Sequence, residues 1–185
     1  MGKKLLIDKK YNSFKKTISV DGDKSISTRA LLLGSQAYGK TSIENILLSE
    51  DIMNSINCLK KLGVKISLNK KKCLIDGKGL NGFKYKKNIV LDAGNSGTFA
   101  RLILGLLVKS PYYIKLIGDE SLSKRDFARV ILPLQKVGAN FKVNNKKTLP
   151  LKIIGSTFVN PIHYFEKRGS AQCKSTVMLA ALNSP

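Results

Sequence analysis

The sequence predicts an α/β fold assembled from one unit used repeatedly: strand, helix, strand, helix, strand, strand. Two observations carry that expectation. Ser49-Glu50-Asp51 opens a helical pattern with Ile52, Ile56, Leu59 and Leu62 on one face, stopped by Gly63; Asp126 opens another with Phe127, Val130, Leu134 and Val137, stopped by Gly138, and start and stop both recur 75 residues on. Three times, moreover, a strand-like run enters a Gly-containing turn and then an apolar-rich helix. These are Thr17 to Val20 before Lys24 to Leu33, Ile89 to Asp92 before Ser96 to Val108, and Ile162 to Phe165 before Ser170 to Leu182. Self-similarity at a fixed period marks a structural unit that stacks on its own copies.

The elements follow in order. In the first copy, Gly34 to Lys40 reads as a helix stop and turn, and Ser42 to Ile46 as a short strand. After the helix opened at Asp51, the alternating runs Val64 to Leu68 and Lys72 to Asp76 read as strands. The second copy ends with the corresponding Ala139 to Val143 and Leu151 to Ile154, and Pro133 should kink its second helix. The third copy reaches Pro185 just after its first helix, so the periodicity leads us to expect a fragment.

With 43% hydrophobic residues the 185-residue chain can form a packed core, and 33 Lys+Arg against 12 Asp+Glu give it a net charge of +21. Such a field attracts polyanions, acidic membranes or phosphorylated metabolites. The cations are mostly Lys, in runs such as Lys70-Lys71-Lys72, Lys86-Lys87 and Lys146-Lys147 between strand-like segments, without the Arg clusters or interleaved aromatics of nucleic-acid modules. We therefore expect a small-anion site rather than a nucleic-acid surface. Cys58, Cys73 and Cys173 are far apart and accompanied by one His, which cannot make a zinc site; they read as reduced thiols. Neither the N-terminal residues nor stretches such as Leu102 to Val108 form a leader or a membrane span, so the expected location is cytoplasmic.

Two motifs mislead. Gly34-Ser35-Gln36-Ala37-Tyr38-Gly39-Lys40-Thr41 fits the P-loop pattern, which needs a strand before it and a helix beginning at the Lys. The order expected here is the reverse. A P-loop NTPase is nonetheless the sharpest rival of another class, and ATP binding lost in Lys40→Ala would favour it. Gly77-Lys78-Gly79-Leu80-Asn81-Gly82 fits a dinucleotide fingerprint, but Phe83 to Asn88 has no helical period.

The starts of the three first helices share a chemistry. Ser25 and Arg29, Gly97 and Arg101, and Ser170 and Lys174 each place a small residue at the start and a cation four residues on. Both members lie on one helical face. The free N–H groups and the dipole favour an anion there, and the small side chain lets it approach. A charge-assisted hydrogen bond contributes about 1.5–3 kcal/mol, so several together would hold a phosphorylated metabolite if the three starts converge.

These residues carry a family resemblance. Asp23-Lys24-Ser25-Ile26-Ser27-Thr28-Arg29-Ala30-Leu31-Leu32 resembles the Lys-Ser-Arg signature of the 5-enolpyruvylshikimate-3-phosphate (EPSP) synthase family. Asn95-Ser96-Gly97-Thr98-Phe99-Ala100-Arg101 resembles its Asn-x-Gly-Thr segment. The block from Gly118 to Leu122 through Arg125, Arg129, Pro133-Leu134 and Gly138-Ala139 is similar too, as is Ser170-Ala171-Gln172-Cys173-Lys174-Ser175. The resemblance implies two lobes, each an inside-out α/β barrel of three βαβαββ repeats. Residues 1–20 would belong to the other lobe, and residues 21–185 would form an incomplete substrate-binding lobe.

It also implies the reaction, transfer of the enolpyruvyl group of phosphoenolpyruvate to the 5-hydroxyl of shikimate 3-phosphate with release of phosphate. Lys24 would touch both substrates and neutralise charge. Ser25, Arg29 and Ser170 would bind shikimate 3-phosphate, Gly97 (through its backbone) and Arg125 phosphoenolpyruvate, and Gln172 both. Asn95 would shape its turn, Arg101 would be structural, and Lys174 is a weaker candidate. The implied partners are small phosphorylated molecules, with no cofactor or metal and no nucleic acid or membrane; the full-length enzyme would be a monomer. The sequence departs from the pattern at Asp126, where Pro is common, and at Ala171, a Ser in part of the family. The family's acid/base carboxylates and several more cations lie in the second lobe, so the 185-residue chain is expected to be inactive alone. A sister family of the same fold, the UDP-N-acetylglucosamine enolpyruvyl transferases, is the nearer alternative; its first helix carries a Lys-Asn pair, whereas Lys24 here is followed by Ser25 with Arg29 one turn on, which suits a phosphate rather than a nucleotide sugar.

Overall fold

The computed structural model describes residues 4–6, 8–10, 12, 13 and 15–184. Residues 1–3, 7, 11 and 14, on which part of the expectation for residues 1–20 falls, lie outside the described residues.

Helix α1 (Lys24–Gln36) starts where the Asp23 carboxylate accepts the Ile26 N–H at 2.7 Å, satisfying a donor the helix leaves open. Strand β1 (Lys40–Ile43) follows. Helix α2 (Glu50–Lys61) carries Glu50 and Asp51 in its first turn and Lys60 and Lys61 in its last, each on the favourable side of the helix dipole. Strands β2 (Lys65–Asn69) and β3 (Lys72–Asp76) complete an antiparallel sheet of order β1-β3-β2.

The next stretch runs β4 (Val90–Asp92), α3 (Gly97–Leu106), β5 (Ile114–Ile117), the short α4 (Glu120–Ser123), α5 (Ala128–Val137), β6 (Asn140–Lys142) and β7 (Leu151–Ile154). Its sheet has the order β4-β5-β7-β6, with β4 parallel to β5 and the other pairs antiparallel. The β5-β7-β6 part repeats the order and sense of β1-β3-β2. Gly138, at φ 116°, ends α5 in the left-handed conformation that favours glycine, and Pro133 sits inside that helix. Helix α6 (Ala171–Ala181) closes the described chain, its N-cap Ser170 hydroxyl accepting the Cys173 N–H.

Helix α3 is apolar nearly all round, so it lies in the core, with Phe99, Ala100, Ile103 and Leu104 fully buried. It packs closest against α6, where a Cβ on Gly105 would stand 2.3 Å from the Thr176 carbonyl oxygen. The Thr176 hydroxyl donates to the Arg101 carbonyl at 3.1 Å, sewing the crossing together.

Among the described residues, two of the expected strands find no partner. Thr17 to Val20 and Ile162 to Phe165 enter no ladder. A strand needs a partner edge as well as alternation. Ile162 and Tyr164 do face the core while His163 and Phe165 face solvent, so the alternation holds without the pairing. Around the P-loop-like motif, a helix comes before and a strand after, and no helix follows Gly77 to Gly82, so neither motif has the geometry its chemistry needs. The three cysteines are free and buried, and burial pushes the Cys58 thiol up to about 12. No helix among the described residues is long and apolar enough to cross a membrane.

Candidate active site

The candidate residues lie at the starts of α1, α3 and α6 and in the turn before α5. In α1 the Arg29 guanidinium donates to the Ser25 carbonyl at 3.2 Å; in α3 Arg101 donates to the Gly97 carbonyl at 3.4 Å. The same small-residue and cation pair thus folds back on itself in both helices.

Around Gly97 the arrangement is richer. A Cβ there would stand 2.9 Å from Arg125 Nη1 and 3.0 Å from Arg101 Nη1, so only glycine leaves both guanidiniums this close to the helix start. Arg125 is aimed by Asn95, whose Oδ1 accepts from Nη2 at 2.9 Å. Asn95 is oriented by Asp119, which accepts its amide at 2.6 Å and also caps α4 by accepting the Leu122 N–H. That N–H, with help from Asn95 and Arg125, holds the Asp119 carboxyl below its usual range. Arg101 continues to Gln172 Oε1 at 3.1 Å and to the Asp126 carbonyl at 3.2 Å, and lies over the Phe127 ring. Gln172 in turn donates to the Thr98 hydroxyl at 3.0 Å, tying the starts of α6 and α3 together.

Burial first, and the neighbouring charge of Arg125 second, lower the Arg101 pKa from its ordinary value. Among the described residues neither Arg101 nor Arg125 has an ion-pair partner. Two guanidiniums at a helix N-terminus, repelling one another and hydrogen-bonded to neutral acceptors, make a concentration of positive charge of the kind that favours an anion. Asp126, where the resembled pattern has Pro, holds the turn by another route: its carboxylate accepts the Ala128 N–H at 2.6 Å.

Lys24 opens α1. Its ammonium pairs with Asp51 at 3.0 Å. Asn54, one turn after Asp51 on α2, lies against Gly94, and Gly94 begins the turn that carries Asn95. Through α2, Asp51 and Asn54 thus tie Lys24 to the helix that also meets the Gly94 turn. Ser25 and Arg29, also in α1, share no hydrogen bond with the other candidates among the described residues. Ser170 caps α6 next to Gln172, and Lys174 is exposed one turn further. Asp51, Thr98 and Asp119 entered the sequence reading only as parts of motifs, and Glu166 not at all; none was named as a site residue. Asp119 as the N-cap of α4, followed by Glu120 in its first turn, is a capping signal that could have found one of them.

Comparisons with known proteins bear on the family and the fold. The family model described as EPSP synthase (3-phosphoshikimate 1-carboxyvinyltransferase) matches residues 9–185. The chain belongs to the EPSP synthase family. A 3-phosphoshikimate 1-carboxyvinyltransferase of Ruthia magnifica is 49% identical over 174 residues, covering 94% of this chain and 40% of that relative. One of Leuconostoc mesenteroides is 44% identical over 167 residues, covering 90% and 38%. Among solved structures, an EPSP synthase from Acinetobacter baumannii superposes with a TM-score of 0.86 at 36% identity, over 93% of this chain and 39% of that one. The mixed α/β fold is thus that of EPSP synthase structures, and the chain spans 38–40% of the length of the curated relatives it matches.

Proposed function

We propose that this chain supplies the shikimate 3-phosphate side of an EPSP synthase active site, together with part of its phosphoenolpyruvate contacts. The observation that carries the reading is the pair of unneutralised guanidiniums, Arg101 and Arg125, set over Gly97 at the start of a buried helix. In this reading Arg125 and the backbone of Gly97 take phosphoenolpyruvate. Ser25, Arg29 and the Ser170 cap take shikimate 3-phosphate. Lys24 and Gln172 touch both, with Asp51 holding Lys24 in place. Helix starts and fixed cations oppose the charge of two anionic substrates brought together, which is the electrostatic part of the catalysis. Lys24→Met would test its share as a loss of affinity for both ligands.

The chemistry also needs a group that protonates the enolpyruvyl carbon and one that accepts the proton back. The family resemblance implies that these groups lie in the second lobe, and we therefore assign the proton transfers to the part of the relatives' length that this chain does not span. The architecture we infer is the family's: residues 21–185 as an incomplete inside-out α/β barrel lobe and residues 1–20 as a segment of the other lobe, in a cytoplasmic monomer. Calorimetry of the 185-residue chain with shikimate 3-phosphate and with shikimate separates this reading from its rivals. Binding that requires the 3-phosphate, with no phosphate release when phosphoenolpyruvate is added, is the expected result. ATP binding, or turnover, would contradict it.

A further inference from the structure

Outside the candidate contacts, one cluster of charged groups is built with unusual care. Glu166 has a side chain only 6% exposed, yet it lies in a segment with no regular structure. Its carboxylate accepts from Arg129 at 2.5 Å, from the Arg168 N–H at 3.0 Å and from the Tyr164 hydroxyl. Arg129 lies four residues beyond Arg125, and Glu166 lies four residues before the Ser170 cap. The cluster therefore joins the segment that carries one cation of the Arg101–Arg125 pair to the segment that presents the other helix start.

We propose that Glu166 is a positioning residue, whose carboxylate fixes the Ser170–Gln172 start of α6 against the Arg125 turn and withdraws Arg129 from that pair. Burying a carboxylate is costly unless it is paired and hydrogen-bonded, and here three donors meet it. Arg129 also lies close enough to Arg101 to repel its charge. An Arg129 released from Glu166 would add a third cation to a pair that already repels. With Glu166 in place, Arg101 and Arg125 remain the two guanidiniums at this helix start that have no ion-pair partner among the described residues. What Glu166 positions the helix start for rests on the substrate reading above; that it positions the start does not.

Amide hydrogen exchange on the 185-residue chain separates the two. The Cys173 and Lys174 amides bond to Ser170, whereas the Ile26 and Ser27 amides bond to Asp23 at the start of α1 and serve as the internal reference. In Glu166→Gln, exchange at Cys173 and Lys174 should quicken by about tenfold while the Asp23-bonded amides change by less than about twofold, the pattern of local opening. Tyr164→Phe, which keeps the carboxylate and removes one donor, should quicken the same amides by about threefold and serves if Glu166→Gln does not fold. Unchanged exchange at Cys173 and Lys174, or equal acceleration at both helix starts, would overturn the proposal. Shikimate 3-phosphate is then added to the unmodified chain: protection of the α6 amides supports the substrate reading, and its absence counts against that reading while the ligand-free comparison still decides the role of Glu166.

Discussion

Residues 24–76 and residues 90–154 set the same device at the start of their first helix and surround it differently. In both, an arginine one turn in donates back to the carbonyl of a small residue. In α1, Arg29 then runs along an open apolar groove lined by Leu32, Leu33, Leu102, Met178 and Leu182. In α3, Arg101 stacks on Phe127, reaches Gln172 and faces Arg125. The neighbouring lysine of α1 is neutralised by Asp51, whereas the neighbouring arginine of α3 is aimed by an uncharged amide. A repeated helix start thus gives the direction of the field, and tertiary neighbours decide how much charge stays available to a guest.

The largest way to break the comparison is at the position three turns or so into each helix. Gly105 in α3 corresponds to Leu33 in α1, and Leu33 is 53% exposed while Gly105 abuts the Thr176 carbonyl. Gly105→Ala forces α3 from α6 and should cost about 3 kcal/mol in chemical denaturation, as overpacking against backbone does. Leu33→Ala should stay within about 0.5 kcal/mol.

A smaller effect sharpens the contrast at the site itself. Gly97→Ala puts a methyl group where Arg125 and Arg101 now converge; both are side-chain ends that can swing away, so stability changes little. Affinity for phosphoenolpyruvate should fall by about tenfold, or ~1.4 kcal/mol, in a titration followed by NMR. Ser25→Ala at the equivalent place in α1 should weaken shikimate 3-phosphate by only about threefold, because its helix start keeps its backbone donors. Equal losses at the two positions would remove the distinction drawn here.

The smallest effect appears only in acid. The Tyr164 hydroxyl, the Arg168 N–H and Arg129 lower the Glu166 pKa to about 2 in the folded chain, against about 4.3 when unfolded. A depressed carboxyl contributes stability that is complete above the unfolded value and is lost as pH falls through the folded one. Thermal melts between pH 5 and about 2 should therefore steepen their decline relative to Glu166→Gln, with no difference in slope above pH 6.

Much of this was legible in the chain because period and punctuation are local. The alternation of Lys72 to Asp76 and Leu151 to Ile154 gave both strand boundaries as observed, and Gly138 marked the end of α5. Thr17 to Val20 has the alternation of a strand, yet Ile18 and Val20 are exposed and no described edge pairs with them. Sequence records the pattern of a strand but not the availability of a partner. The small-residue and cation pairs were visible for the same local reason. The clustering of Arg125 with Gly97, and the clamp between Arg129 and Glu166 across 37 positions, were not, since both depend on how helices pack. Asp126 shows the intermediate case: its departure from the resembled pattern was plain, but its bond from the Ala128 N–H emerged only with the turn itself.

Convergence of the three helix starts on one guest is what an amide-resolved titration of the isotopically labelled chain with shikimate 3-phosphate measures most directly. The account predicts that the amides around Ser25, Gly97 and Ser170 shift together along one saturation curve, and that shikimate lacking the phosphate leaves them unmoved. Shifts confined to the lysine-rich stretch around Lys84, Lys86 and Lys87, or three unrelated curves at the three starts, would contradict it.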